Sequence, residues 1–80
     1  MISKEYNNIF KSWKENVSSS DIYHMILYWI NTYKDEITDP YVLELLEDVL
    51  YRMNNNEETN DIVEDFIYGS KYESIRKYFN

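Results

Sequence analysis

The side chains whose type and spacing could carry chemistry are a single histidine, three adjacent serines and a dense set of carboxylates. His24 lies in the most apolar stretch of the chain, where a lone imidazole reads as a core or edge residue satisfied by one hydrogen bond. Ser18, Ser19 and Ser20 precede that stretch and read as helix caps rather than nucleophiles. There is no cysteine, which excludes thiolate catalysis, thiolate metal sites and disulfides. Glu44, Glu47 and Asp48 could in principle hold a metal, but helical di-iron sites need Glu-x-x-His pairs on two helices, and the chain has none. Asn54–Asp65 places oxygen ligands at Asn54, Asn56, Glu58 and Asp65, in the manner of a calcium loop. Thr59 stands where that loop needs glycine, and Asp65 where it needs glutamate. With Gly69 as the sole glycine, a glycine-rich phosphate loop is excluded. The expectation is a binding protein, not an enzyme, with no metal and no cofactor.

The elements that must position these groups are helical. Ile2, Tyr6, Ile9, Phe10, Trp13 and Val17 follow helical spacing and predict a first helix over about 4–16 with Ser3 as its cap. A second, over about 21–35, carries Ile22, Ile26, Trp29, Ile30 and Tyr33 on one stripe. Tyr23, Met25, Leu27 and Tyr28 add apolar surface elsewhere, which predicts a central helix. Asp39-Pro40 opens a third over about 40–53, packing through Val42, Leu43, Leu46, Val49, Leu50 and Met53. A short fourth restarts at Thr59 or Asn60, turns Ile62, Val63, Phe66 and Ile67 inward, and ends at Gly69 as a left-handed C′ residue. Ser70-Lys71-Tyr72-Glu73 matches a capping box and opens a last helix with Tyr72, Ile75 and Phe79. No strand alternation or repeat occurs. The fold expected is all-α, a compact bundle of four or five short helices forming one domain over 1–80, with helices four and five either separate or one kinked helix.

Charge is the most informative feature. The chain is 80 residues long with a net charge of −7, and the acids are segregated. Residues 1–34 hold four lysines against Glu5, Glu15 and Asp21; residues 66–80 hold Lys71, Arg76 and Lys77 against Glu73. Between them, residues 35–65 hold eleven acids and one base, Arg52. On helix three, Tyr41, Glu44, Asp48 and Tyr51 recur opposite the apolar stripe, with Glu47 adjoining. On helix four, Asp61, Glu64, Asp65 and Tyr68 do the same. Clustered like charges cost an isolated helix some tenths of a kcal/mol per pair. Carboxylates interspersed with tyrosines suit a face that steers and anchors a basic partner, the reading the charge segregation favours over a solvated face that keeps a small protein in solution. On the first reading, reversing Glu44, Glu47 and Asp48 to lysine leaves the fold intact and weakens binding.

The acidic balance argues against direct binding of nucleic acid and against an anionic membrane surface. MISKEYNNIF carries no signal core, and the longest near-apolar run is about nine residues around Ile22–Ile30, too short to span a bilayer. A cytoplasmic location is expected. Nine tyrosines, three phenylalanines and two tryptophans in so small a chain exceed what a core can hide, so exposed aromatic surface is expected, as at an interface or in a homodimer. Nine Asn, nine Ile and six Lys without a single Ala or Gln reflect AT-rich coding rather than any demand of the fold.

A small, acidic, helical chain without a catalytic set, whose acidic 35–65 stretch carries tyrosines, resembles bacterial immunity proteins. These neutralise a cognate nuclease toxin of the colicin or contact-dependent inhibition type, and some are small helical bundles. The resemblance implies a basic protein partner, a nuclease toxin, engaged through Tyr41, Glu44, Glu47, Asp48, Tyr51, Asp61, Glu64, Asp65 and Tyr68. A toxin cleft that binds phosphates is basic, and an acidic protein competes for it. The alternative is a phage-encoded inhibitor of a host defence nucleoprotein, an anti-CRISPR or DNA mimic, using the same physics.

Overall fold

The structure, a computed structural model, describes residues 2–79, and of Ile2 the backbone alone. The chain forms α1 (Ile2–Lys14), α2 (Ser19–Tyr33), a 3-10 turn (Lys34–Glu36), α3 (Pro40–Asn54), α4 (Thr59–Tyr68), a second 3-10 turn (Ser70–Tyr72) and α5 (Glu73–Tyr78). It is an all-α bundle, and no strand occurs among the described residues. None of the described helices is long and apolar enough to cross a membrane.

Where the boundaries differ from the apolar periodicity, capping explains it. α1 begins at Ile2, so Ser3 lies inside the helix instead of capping it, and the Ile2 side chain expected on the core stripe lies outside the described residues. The same helix stops at Lys14 because Asn16 turns left-handed, at φ 62°. Val17 N–H then bonds the Ser12 carbonyl at 3.2 Å and Asn16 N–H that of Trp13 at 3.1 Å, a Schellman closure. α2 starts two residues before the expected Asp21 because Ser18 is its cap, accepting from Asp21 N–H. Its last turn tightens to 3-10 geometry at Lys34, which seats Ile37 in the core. α3 opens as expected, with Asp39 accepting from Tyr41 and Val42 N–H and Pro40 in the first turn.

The C-terminal third departs further. Gly69 is not left-handed; its φ is −70°. Glycine is needed there because a Cβ would stand 2.8 Å from the Asp65 carbonyl oxygen. Nor does Ser70–Glu73 form a capping box: Ser70–Tyr72 winds into the 3-10 turn with no side-chain cap, and α5 follows as a separate short helix. Arg76 of α5 instead caps the preceding helix, donating to the carbonyls of Asp65, Phe66 and Gly69.

α2 packs on α1 and α4, while α3 packs on α4 and α5. An aromatic cluster fills the middle. Tyr6 lies 4.9 Å from Phe10, 5.1 Å from Trp29 and 4.8 Å from Phe79 between ring centroids, and Phe66 closes the group against Tyr72. Ile9, Ile22, Ile26, Ile30, Leu46, Val49, Ile62, Val63 and Ile75 are sealed around it. Such dense burial offsets the small size of the domain.

Candidate functional site

The acidic faces of α3 and α4 meet at a polar cleft of about 470 Å³ whose floor is organised by Arg52. Arg52 follows Val49 and precedes Met53 on the inward stripe of α3, so its guanidinium is drawn inside, leaving the residue 9% exposed. Its Nε donates to Glu57 Oε2 at 2.6 Å; Nη1 contacts Asp65 Oδ2 at 3.0 Å and donates to the Tyr72 hydroxyl at 3.0 Å. Tyr72, fully buried, donates its hydroxyl hydrogen bond to Asp48 Oδ2 at 2.7 Å, and Lys71 pairs with that same oxygen at 3.2 Å. Tyr51 and Asn55 complete the rim.

Local geometry aims each member. Asn56, left-handed at φ 58°, ends α3 so that Glu57 N–H returns to the Arg52 carbonyl. This Schellman-type closure lets the Glu57 side chain meet Arg52, an ion pair in the place usually taken by an apolar contact. The 3-10 turn turns Tyr72 inward beside Lys71. Burying a guanidinium is costly unless its donors find partners, and here Glu57 takes Nε while Asp65 and Tyr72 take Nη1.

Electrostatics follow the contacts. Burial alone would lower the Arg52 pKa, but bonds to Tyr72 and Glu57 outweigh it and hold the guanidinium protonated well above its ordinary value. Burial pushes the Tyr72 phenol up to about 12. Desolvation would raise Asp48, yet hydrogen bonds from Tyr72 and Lys71, with the Lys71 and Arg52 charges, hold its carboxyl below the ordinary 3.8.

The nine residues singled out in the sequence therefore divide. Tyr41, Glu44, Glu47, Tyr51, Asp61, Glu64 and Tyr68 are exposed, whereas Asp48 and Asp65 are half-buried and spent on internal partners. Asp48 therefore does not point freely away from the core as the periodicity implies: Tyr72 and Lys71 hold it from inside, and reversing it is expected to cost those contacts. Tyr68, 67% exposed, is held in place: Trp13 Nε1 of α1 donates to its hydroxyl at 2.6 Å, with the rings edge-on. Tyr51 and Tyr41 stand out at 69% and 58% exposed.

Arg52 and Tyr72 were not singled out as site residues from sequence. The available signal was that the lone base among eleven acids falls on the apolar stripe of its own helix. His24 is exposed, its Nδ1 2.8 Å from the Ser20 carbonyl oxygen. The segment with calcium-loop spacing is largely helical, divided between α3 and α4, and its Glu57 and Asp65 bind Arg52. Among the described residues no group of three or more His, Asp or Glu side chains is placed to hold a metal. No protein-family model, curated protein or solved structure matches this chain.

Proposed function

We propose that this protein is a binding protein that neutralises a basic protein partner, most simply an immunity protein blocking a nuclease toxin in the cytoplasm. The observation that carries the reading is the convergence of two acidic helix faces on one cleft. Asp48 and Tyr51 of α3 and Asp65 of α4 line it together with Arg52 and Lys71, which pair with the two carboxylates, so the unpaired acid lies on the surrounding rim. Helical phase sets exposed Glu44 and Glu47 beside the first pair, and Asp61 and Tyr68 beside Asp65. Exposed tyrosines supply anchoring area at low entropic cost, and the flanking carboxylates steer a basic surface toward them. The internal cluster acts as a rigid base that presents this rim.

The test is partner recovery from the native host followed by calorimetry. Lysines at Glu44, Glu47 and Glu64, all exposed and without an ion pair among the described residues, should weaken binding at least tenfold and reduce its salt dependence. Glutamates at Lys4, Lys11 and Lys14 of α1 serve as the control. Loss of binding in the control with full binding in the acidic-face variant would sink the proposal. A recovered partner that is a host defence nucleoprotein rather than a toxin would select the phage inhibitor over the immunity protein.

A further inference from the structure

A second cavity, of about 330 Å³, opens between α1, α4 and α5 and shares no lining residue with the acidic cleft. Its walls are Tyr6, Asn7 and Phe10 from α1, Ile67 from α4 and Arg76 from α5. Tyr6 is 3% exposed, and its hydroxyl is the one buried side-chain polar atom without a hydrogen-bond partner among the described residues. An orphan of this kind destabilises the fold unless something fills its place. The Arg76 charge reaches the phenol, yet burial dominates and keeps the proton on, so the hydroxyl is a donor at any ordinary pH. Arg76 itself has five N–H donors, of which three are engaged by helix-end carbonyls. Among the described residues no partner takes the other two, so Arg76, the exposed Asn7 amide and the sealed Tyr6 hydroxyl give this cavity's lining one positive charge and a surplus of donors. Phe10 and Ile67 supply an apolar wall opposite.

We propose that this cavity binds a small molecule with a carboxylate on an apolar body. Arg76 and Tyr6 hold the carboxylate, and Phe10 and Ile67 pack on the rest. Asn7, exposed, and Phe10, half-buried, shift to admit it, because the hydroxyl is sealed in the empty state. The proposal does not rest on the partner proposed for the acidic cleft, with which this cavity shares no lining residue.

The experiment is titration of the full chain with benzoate, and in parallel with benzamide, followed by two-dimensional amide NMR. Expected are saturable shifts centred on residues 6–10, Ile67 and Arg76, with a dissociation constant on the order of a millimolar and at least tenfold weaker binding of benzamide. Tyr6→Phe should lose about tenfold in benzoate affinity while its thermal midpoint stays level or rises, since it deletes the orphan hydroxyl. Asn7→Asp, a change on the exposed surface, should weaken benzoate several-fold through repulsion at the mouth. Absence of saturable shifts, equal binding of benzamide, or undiminished binding by Tyr6→Phe would each overturn the proposal.

Discussion

The Tyr72 hydroxyl and the Asp48 carboxylate, twenty-four positions apart in the chain, meet at 2.7 Å, and the same hydroxyl accepts from Arg52 at 3.0 Å. One phenol thereby ties the C-terminal 3-10 turn to two successive turns of α3. Because Arg52 also holds Asp65, α4 is fastened at the same point.

Tyr72→Phe keeps the ring that packs on Phe66 and deletes only this bridge. The buried Arg52 loses an acceptor, so stability should fall by about 1–3 kcal/mol in urea denaturation, with the helical circular-dichroism spectrum retained.

Arg52→Met leaves Glu57 and Asp65 without their common cation, while Asp48 keeps Lys71. Removing one side of a buried ion cluster costs about 3–5 kcal/mol, and the near-half exposure of Glu57 and Asp65 brings the expected loss down to about 2–3 kcal/mol. Arg52→Lys should recover only part of it, because one ammonium cannot match the three directions of the fork.

Acid should unfold the chain partly through Asp48. Its folded pKa lies below its unfolded one, so its contribution is present above the ordinary 3.8 and is lost as pH falls through the lower folded value. Asp48→Asn should flatten the acid limb of a stability–pH curve below about pH 4. An unchanged slope there would show that the carboxylate is not favoured by the fold.

Gly69→Ala is usually a stabilising exchange at negative φ, worth about 0.4–1 kcal/mol through the unfolded chain. Here the new methyl meets the backbone of Asp65 at 2.8 and 2.9 Å, so the sign should reverse to a loss of about 1–3 kcal/mol, read as a drop in thermal midpoint.

Much of the fold is legible in the residues because local signals and apolar stripes agree. Asp39-Pro40 marks the start of α3 to the residue, and Val42, Leu46, Val49 and Met53 are buried as the spacing implies. The helix ends are less legible where asparagine does glycine's work: Asn16 and Asn56 take the left-handed position, and asparagine is common enough in this chain to carry no signal. Gly69 was the obvious stop, yet its purpose is clearance from Asp65, which only the folded backbone reveals. In the candidate face, periodicity separates inward from outward but cannot see a charge pulled inside. Asp48 and Asp65 look like their exposed neighbours until Arg52 and Tyr72, distant in sequence, are brought beside them.

The pairing of Trp13 with Tyr68 gives the molecule a built-in optical label. The chain has two indoles in opposite settings: Trp29 is 1% exposed inside the aromatic cluster, while half-buried Trp13 is bonded to an exposed tyrosine beside the acidic rim. Unfolding must release Trp29 into water and shift its emission to longer wavelength. A partner that covers Tyr68 alters the surroundings of Trp13 and leaves Trp29 untouched. With Trp13→Phe to isolate the inner fluorophore, loss of structure and occupation of the face become separate signals from an unlabelled protein.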